Sequence, residues 1–434
     1  MTQIKRYKSE RLACWQQAKE LRNKHYRDIW EAKEKGKVLA TGGEYSFIPL
    51  VAGLGDYEFL GGEPYGATVG TDQNLATECA EAAEARGFAR DMCSYMRLYW
   101  GSMFLDKSPW GKFVKPDFCL SWHLCESHGK WYQLVSEHMG IPSFVIEIPL
   151  GPRTQNRREA QIRYLVAQME EAIDWMQKVT GRGYDDGLLI EAVSNEIDAT
   201  AIWAKCCELN KNIPAPLDLK SMFSLYVISS LIRCQPEAAD FFRTLYDEVK
   251  YRVDNQIAAL ATERCRLYHD AEPVWHFLQL FRIAEKYGAV VPASFYAFVV
   301  GTAFEADENG HWLPAKTMAE RGAPLKNRGE ALELLATSYV DRPGLWGWMP
   351  QQKVTDSLSI YRDWQCDGAI LHLNRGCEGL TQGLTEAALA LKAAGAPTMV
   401  YESNMVDPRE FSPTQVVDSL ESFLESLGLT KLDD

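Results

Sequence analysis

The spacing of apolar and polar residues changes three times along the 434-residue chain. Residues 8–35 are dense in Glu, Lys, Arg and Ala and close at Gly36, which predicts a helix, and the apolar run 37–40 behind it predicts a strand. Residues 116–122 and 142–148 read as short buried strands around a helical stretch, 130–138, that stops at Gly140. Strand, helix and strand with short connections imply a parallel sheet. Next, Ile162, Leu165, Val166, Met169, Ala172, Ile173 and Met176 fall at helical spacing, with Gly181 as the stop. Helical texture continues through 191–211 and 222–260 with little strand signal. From about Glu272 alternation returns, with strands expected at 289–292, 367–373 and 398–401 and a helix at 381–394.

A repeated order of residues sharpens this outline. Asp117, an apolar strand, Cys125-Glu126, a helix, Gly140-Ile-Pro142, a second strand and Glu147 recur as Asp367, a strand, Cys377-Glu378, a helix, Gly395-Ala-Pro397, a strand and Glu402. In both copies the Glu stands five residues after the Pro. The expected fold is α/β: two facing Rossmann-like (flavodoxin-like) parallel-sheet domains, 1–155 and 269–434, with a helical insert at 156–268.

Composition narrows the function. With 46% hydrophobic and 24% charged residues the chain is a core-forming one. A net charge of −13 and the lack of any Lys/Arg block argue against general nucleic-acid binding, which rests on phosphate neutralisation. The first ten residues are polar and charged, and the longest apolar stretch, 222–232, is too short for a bilayer, so a cytoplasmic protein without a membrane anchor is expected.

Eleven cysteines, an odd number with no CxxC pair, point to reduced thiols and not to a disulfide framework. In each copy of the repeat the Cys falls where a strand ends and a helix begins. Parallel sheets bind ligands at that edge, and a helix N-terminus favours the thiolate that iron, zinc and iron-sulfur clusters need. Cys125 and Cys377 are therefore candidate ligands, with Cys93 in Arg90-Asp-Met-Cys93-Ser-Tyr-Met-Arg97 as a third. Cys14, Cys79, Cys119, Cys206, Cys207, Cys234, Cys265 and Cys366 read as small core residues. His123 and His128 flank Cys125 and His372 precedes Cys377, which leaves a Cys-His nucleophile open beside the ordinary structural role. The glycines of 61–70 read as turns, with a loop that approaches a phosphate as the functional option. GxSxG, HExxH and GxxxxGK[ST] are all missing. Trp346-Gly-Trp348-Met349, Trp110, Trp122 and Trp131 read as core aromatics, with a flat apolar pocket as the functional option.

The runs Glu78-Cys-Ala-Glu-Ala-Ala-Glu-Ala-Arg-Gly-Phe-Ala-Arg-Asp-Met-Cys93-Ser-Tyr-Met-Arg97, Lys115-Pro-Asp-Phe, His123-Leu-Cys125-Glu-Ser-His-Gly-Lys-Trp-Tyr and Asn374-Arg-Gly-Cys377-Glu resemble the benzoyl-CoA reductase and 2-hydroxyacyl-CoA dehydratase family. Within it, the likeness is nearest to the B subunits of ATP-dependent benzoyl-CoA reductases. The resemblance implies one 4Fe-4S cluster held by Cys93, Cys125 and Cys377 between two α/β domains, with one iron open. It implies anaerobic, single-electron reduction of benzoyl-CoA to a cyclohexadiene-carboxyl-CoA through a ketyl; His123, His128 and Glu126 are candidate proton donors for it because they stand near Cys125 in the sequence. It further implies a homologous cluster-binding partner, separate activator subunits that hydrolyse ATP, and ferredoxin as the electron source; since the CoA tail is anionic and the chain acidic, local cations would be needed, with Arg97 and Arg375 as candidates. A 2-hydroxyacyl-CoA dehydratase subunit, a subunit that only relays electrons, and a structural metal protein are the alternatives.

Overall fold

The computed structural model describes residues 5–44, 46–149, 155–342 and 349–432, so Trp346 and Trp348 lie outside the described residues. The first third of the chain builds a parallel sheet from β1 (Val38–Gly42), β2 (Tyr57–Gly61), β3 (Phe118–His123) and β4 (Ser143–Glu147), in the order β2-β1-β3-β4. A second parallel sheet takes β5 (Cys265–Asp270), β6 (Ala289–Ser294), β7 (Gly368–Asn374) and β8 (Thr398–Ser403) in the order β6-β5-β7-β8. Counted from its own first strand, each sheet has the same topology. Each therefore reverses its winding between its first and third strands, and ligands of open α/β sheets bind outside the carboxyl ends at that point.

The sequence repeat is backbone chemistry. Asp117 Oδ2 accepts from Leu39 N at 2.8 Å while the Asp117 N–H donates to Leu39 O at 2.7 Å. Asp367 makes the same pair of bonds with Arg266, again at 2.8 and 2.7 Å. Each Asp so pins its third strand to its first. Likewise, Pro142 O accepts from Cys119 N at 2.9 Å and Pro397 O from Ala369 N at 2.8 Å.

Helix α1 (Trp15–Glu31) begins later than the charge pattern suggests, because Lys8–Ser9 pairs instead with Ile257–Ala258 as a short parallel bridge. Four helices then frame the first sheet: α2 (Gly62–Thr71), α3 (Gln73–Glu84), α4 (Ser94–Leu105) and α5 (Glu126–Met139). Between the sheets in sequence run α6 (Gln155–Thr180), α7 (Asp186–Glu208) and α8 (Pro236–Asp254). Helix α6 buries the stripe of Leu165, Met169, Ile173 and Met176, and Asp185 caps α7 by accepting from Gly187 N at 2.7 Å. Two short helices, Leu219–Ser224 and Tyr226–Ser230, bring the chain back between the sheets.

The glycine run 61–70 forms helix α2 and not the expected turns. Its glycines sit four apart on one face and allow close packing: a Cβ at Gly62 would overlap the Tyr132 hydroxyl, one at Gly66 would lie 3.0 Å from Tyr95 Cα, and one at Gly70 2.6 Å from Val406 Cβ. Strands β2 and β5 were not anticipated, because charged residues interrupt their apolar runs. Those charges are buried and paired, Glu58 with Lys37 at 2.8 Å and Arg266 with Glu263 at 2.5 Å. Strand β5 is nonetheless central to its sheet, bonded to both β6 and β7.

Close packing of α3 on α4 gives a direct test. A Cβ at Gly101 would overlap the Cys79 carbonyl, so Gly101→Ala should cost about 1–3 kcal/mol in urea unfolding. Gly183→Ala, with no atom within 4 Å of the added carbon, should stay within about 0.5 kcal/mol.

Candidate metal and substrate site between the sheets

Strand β3 runs into His123-Leu124-Cys125, and Cys125 is the N-cap of α5. Strand β7 runs into Cys377, N-cap of the short helix Glu378–Thr381, whose Leu380 N–H donates to the Cys377 sulfur at 3.5 Å. Cys93 is the N-cap of α4. All three line one cavity with about 760 Å³ of open space between the two sheets. The other eight cysteines are buried, and none lines it.

Two of the loops meet backbone to backbone. Gly376, at φ +79°, has no room for a side chain: an added Cβ would lie 2.8 Å from both Asp91 O and Met92 O. The turn before Cys377 thus rests on the turn before Cys93. These two sulfurs also line an outer cavity of about 1090 Å³, with Asp91, Glu126, Lys130 and Arg375.

The inner cavity combines apolar walls, among them Trp122, Leu124, Trp131 and Val299, with buried acid groups. Glu272 accepts from the Cys377 thiol at 3.0 Å and from Asn374 Nδ2 at 3.0 Å. Glu63 accepts from Glu44 N at 3.0 Å and meets His128 Nε2 in a short contact. The Tyr226 hydroxyl donates to Glu44 and receives a bond from Tyr296 at 2.9 Å. Burial, and then the charge of Glu63, push Glu44 up to about 8. For His128 burial works downward, but Cys125 and Glu63 outweigh it and raise the imidazole well above its usual value.

The thiols correct one expectation. Burial raises Cys93, and burial with Glu272 raises Cys377, so desolvation and a facing carboxylate outweigh the helix N-terminus. A bound cationic centre would reverse that balance by deprotonating the thiols outright. The Trp131 indole N–H is buried in this wall without a hydrogen-bond partner among the described residues. Three sulfurs from three helix starts, facing acids inside an apolar cavity, fit a cluster held by three thiolates. No three His, Cys, Asp or Glu side chains among the described residues are gathered around a single-ion position.

Of the candidate proton donors, His128 lines the inner cavity. His123 bonds Glu147 at 2.9 Å, and Glu126 projects into the outer cavity with its side chain 86% exposed. Arg97 is fully buried between Glu84 and Asp407, each at 3.1 Å, and Arg375 is paired with Glu402 at 2.6 Å. Glu44, Glu63 and Glu272 were missed, although Gly42-Gly43-Glu44 and Gly61-Gly62-Glu63 form a repeated signature at the ends of β1 and β2.

Residues 57–427 match the family described as 2-hydroxyglutaryl-CoA dehydratase, D-component. The chain belongs to this family. It is 26% identical to the (R)-phenyllactyl-CoA dehydratase alpha subunit of Clostridium sporogenes, over 92% of this chain and 94% of that protein. It is 24% identical to the lactoyl-CoA dehydratase alpha subunit of Anaerotignum propionicum, over 92% and 93%. The B subunit of the benzoyl-CoA reductase of Thauera aromatica is 26% identical over 79% of this chain and 78% of that protein. The part matching the D-component family holds Cys93, Cys125 and Cys377, while Glu44 precedes it. No helix among the described residues is long and apolar enough to cross a membrane.

Glu44 generates a pH test. Folded, it loses its proton near pH 8; its ordinary value is 4.5, so the folded state binds the extra proton between these values. The stabilisation is fully present below about pH 4.5 and is lost as pH rises through 8. In urea titrations across this window, Glu44→Gln should gain stability relative to wild type up to about pH 8 and then level off. Parallel pH profiles for the two proteins would contradict the assignment.

Proposed function

We propose that this chain is the cluster-holding subunit of an ATP-dependent benzoyl-CoA reductase, reducing the aromatic ring to a cyclohexadiene-carboxyl-CoA by single-electron steps. The observation that carries the reading is the convergence of Cys93, Cys125 and Cys377 on one apolar, acid-lined cavity. These three sulfurs would hold a 4Fe-4S cluster, which would supply electrons one at a time to the thioester.

The chain's own residues do the rest. Trp122, Trp131 and Tyr296 offer flat walls to a ring and keep water from it. His128, backed by Glu63, and Glu44, protonated below about pH 8, hold protons at the wall of the cavity, and ring reduction consumes one proton for each electron. His123 and Glu126 stand on the outer side of Cys125. That face, where Cys93 and Cys377 reach the outer cavity, is where an electron donor would approach: activator subunits that hydrolyse ATP and draw on ferredoxin, with a homologous cluster-binding subunit completing the complex.

A second reading, dehydration of a 2-hydroxyacyl-CoA, is favoured by the longer match to the phenyllactyl-CoA and lactoyl-CoA dehydratase alpha subunits, 92% of this chain against 79% for the reductase subunit. The same acids would then remove a proton from the acyl chain and protonate the leaving hydroxyl.

The complex, purified anaerobically with its partners and supplied with ATP and reduced ferredoxin, separates these readings when offered benzoyl-CoA and phenyllactyl-CoA. Ring reduction is expected; water loss without ring reduction would establish the second reading in its place. Cys93→Ala, Cys125→Ala and Cys377→Ala should each strip iron and sulfide, while Cys206→Ala and Cys265→Ala keep them; equal loss in all five would refute the ligand assignment. His128→Asn should retain iron and lose about 10²- to 10⁴-fold in turnover.

A further inference from the structure

Beside the inner cavity lies a wider cleft with about 1360 Å³ of open space. Helix α1 forms its rim through Arg22 and Arg27, α2 forms a wall through Pro64, Ala67 and Thr68, and Trp110 closes one side. One layer of aromatic side chains divides the two spaces. Tyr226 and Trp275 line the cleft, and Tyr95 and Tyr296 line the inner cavity. Trp275 Nε1 donates to the Tyr95 hydroxyl, Tyr296 donates to Tyr226 at 2.9 Å, and the Tyr226 and Trp275 rings stand 5.0 Å apart. The cleft and the cavity lined by the three cysteines therefore lie back to back, with these rings between them.

Its chemistry is that of a site for an aromatic anion. Arg22 and Arg27 are exposed, and neither is in an ion pair or a hydrogen bond among the described residues. Neighbouring Lys24 and Lys35, by contrast, are paired with Asp28 and Glu31. Glu31, the one carboxylate lining the cleft among the described residues, is the residue that Lys35 neutralises, at 2.8 Å. Trp110 is 37% exposed, stacked on Tyr26 at 4.2 Å and set 4.6 Å from Trp30. Unpaired guanidinium groups beside an exposed indole suit phosphates attached to an aromatic base. The outer cavity is the reverse, with Asp91, Glu126, Glu378 and Glu402 set against Lys130 and Arg375, and would repel phosphate.

We infer that this cleft seats the nucleotide end of the acyl-CoA, its phosphates at Arg22 and Arg27 and its adenine against Trp110, so that the thioester reaches the cysteines through the aromatic layer. The inference rests on the acyl-CoA reading above.

Equilibrium dialysis of the anaerobic, cluster-loaded complex, without ATP or reductant, tests it with benzoyl-CoA and with benzoyl-pantetheine, which lacks the nucleotide. The Arg22→Glu/Arg27→Glu double variant should bind benzoyl-CoA about tenfold more weakly and benzoyl-pantetheine as wild type does. Trp110→Ala should show the same selectivity, which keeps the test open should the double variant not fold. Undiminished benzoyl-CoA binding in both variants overturns the assignment, and so does equal weakening of both probes. If the wild-type complex binds neither probe, nor phenyllactyl-CoA, the acyl-CoA reading falls first and takes this site with it.

Discussion

Two sheets that meet at their carboxyl edges impose the constraint on which the site depends: sulfurs from three distant parts of the chain must face one cavity. The contact that enforces it is backbone on backbone, with the Gly376 turn lying against the carbonyls of Asp91 and Met92. No side-chain adjustment could replace it, because any Cβ at Gly376 would part the loops that carry Cys93 and Cys377. The repeated Asp bonds, Asp117 to Leu39 and Asp367 to Arg266, hold each third strand in register, and so fix where β3 and β7 deliver Cys125 and Cys377.

The charges around that cavity differ in kind from those in the rest of the interior. Elsewhere, buried ions are matched, as in Lys353 with Asp270 at 2.7 Å, Arg97 with Asp407 at 3.1 Å and Arg233 with Glu196 at 3.0 Å. At the site, Glu44, Glu63 and Glu272 face three thiols, with the His128 imidazole and the Arg342 guanidinium as the basic groups among them. Excess buried acid is costly, and it persists in folded proteins where function requires it. Burial holds Glu44 in its protonated form and pushes the Cys93 and Cys377 thiols upward, and both features suit the proposed electron and proton delivery.

Much of this was legible in the sequence, and the exceptions have physical causes. The Asp-strand-Cys-helix-Gly-x-Pro repeat is written in local signals, turn glycines and strand-end residues, and it revealed the two parallel sheets and two of the three cysteines that line the cavity. Strands β2 and β5 escaped because their buried charges find partners only in the folded chain, Glu58 on Lys37 and Arg266 on Glu263. Helix α2 escaped because its glycines serve close packing against Tyr95, Tyr132 and Val406, which spacing along the chain does not express. Glu44 and Glu63 carry matching Gly-Gly-Glu signatures, yet their closeness to His128 and Tyr226 arises from tertiary structure. Arg22 and Arg27 look like ordinary surface charge until the structure shows how few carboxylates surround them.

The central claim is that three thiolates from this one chain hold a cluster whose remaining iron lacks a protein sulfur. Mössbauer spectroscopy of the anaerobically loaded protein, enriched in the Mössbauer isotope of iron, addresses it most directly. The account predicts one iron site distinct from the others, whose parameters shift when an acyl-CoA is added. A set of equivalent, fully thiolate-bound irons, or an isolated iron without sulfide, would contradict it.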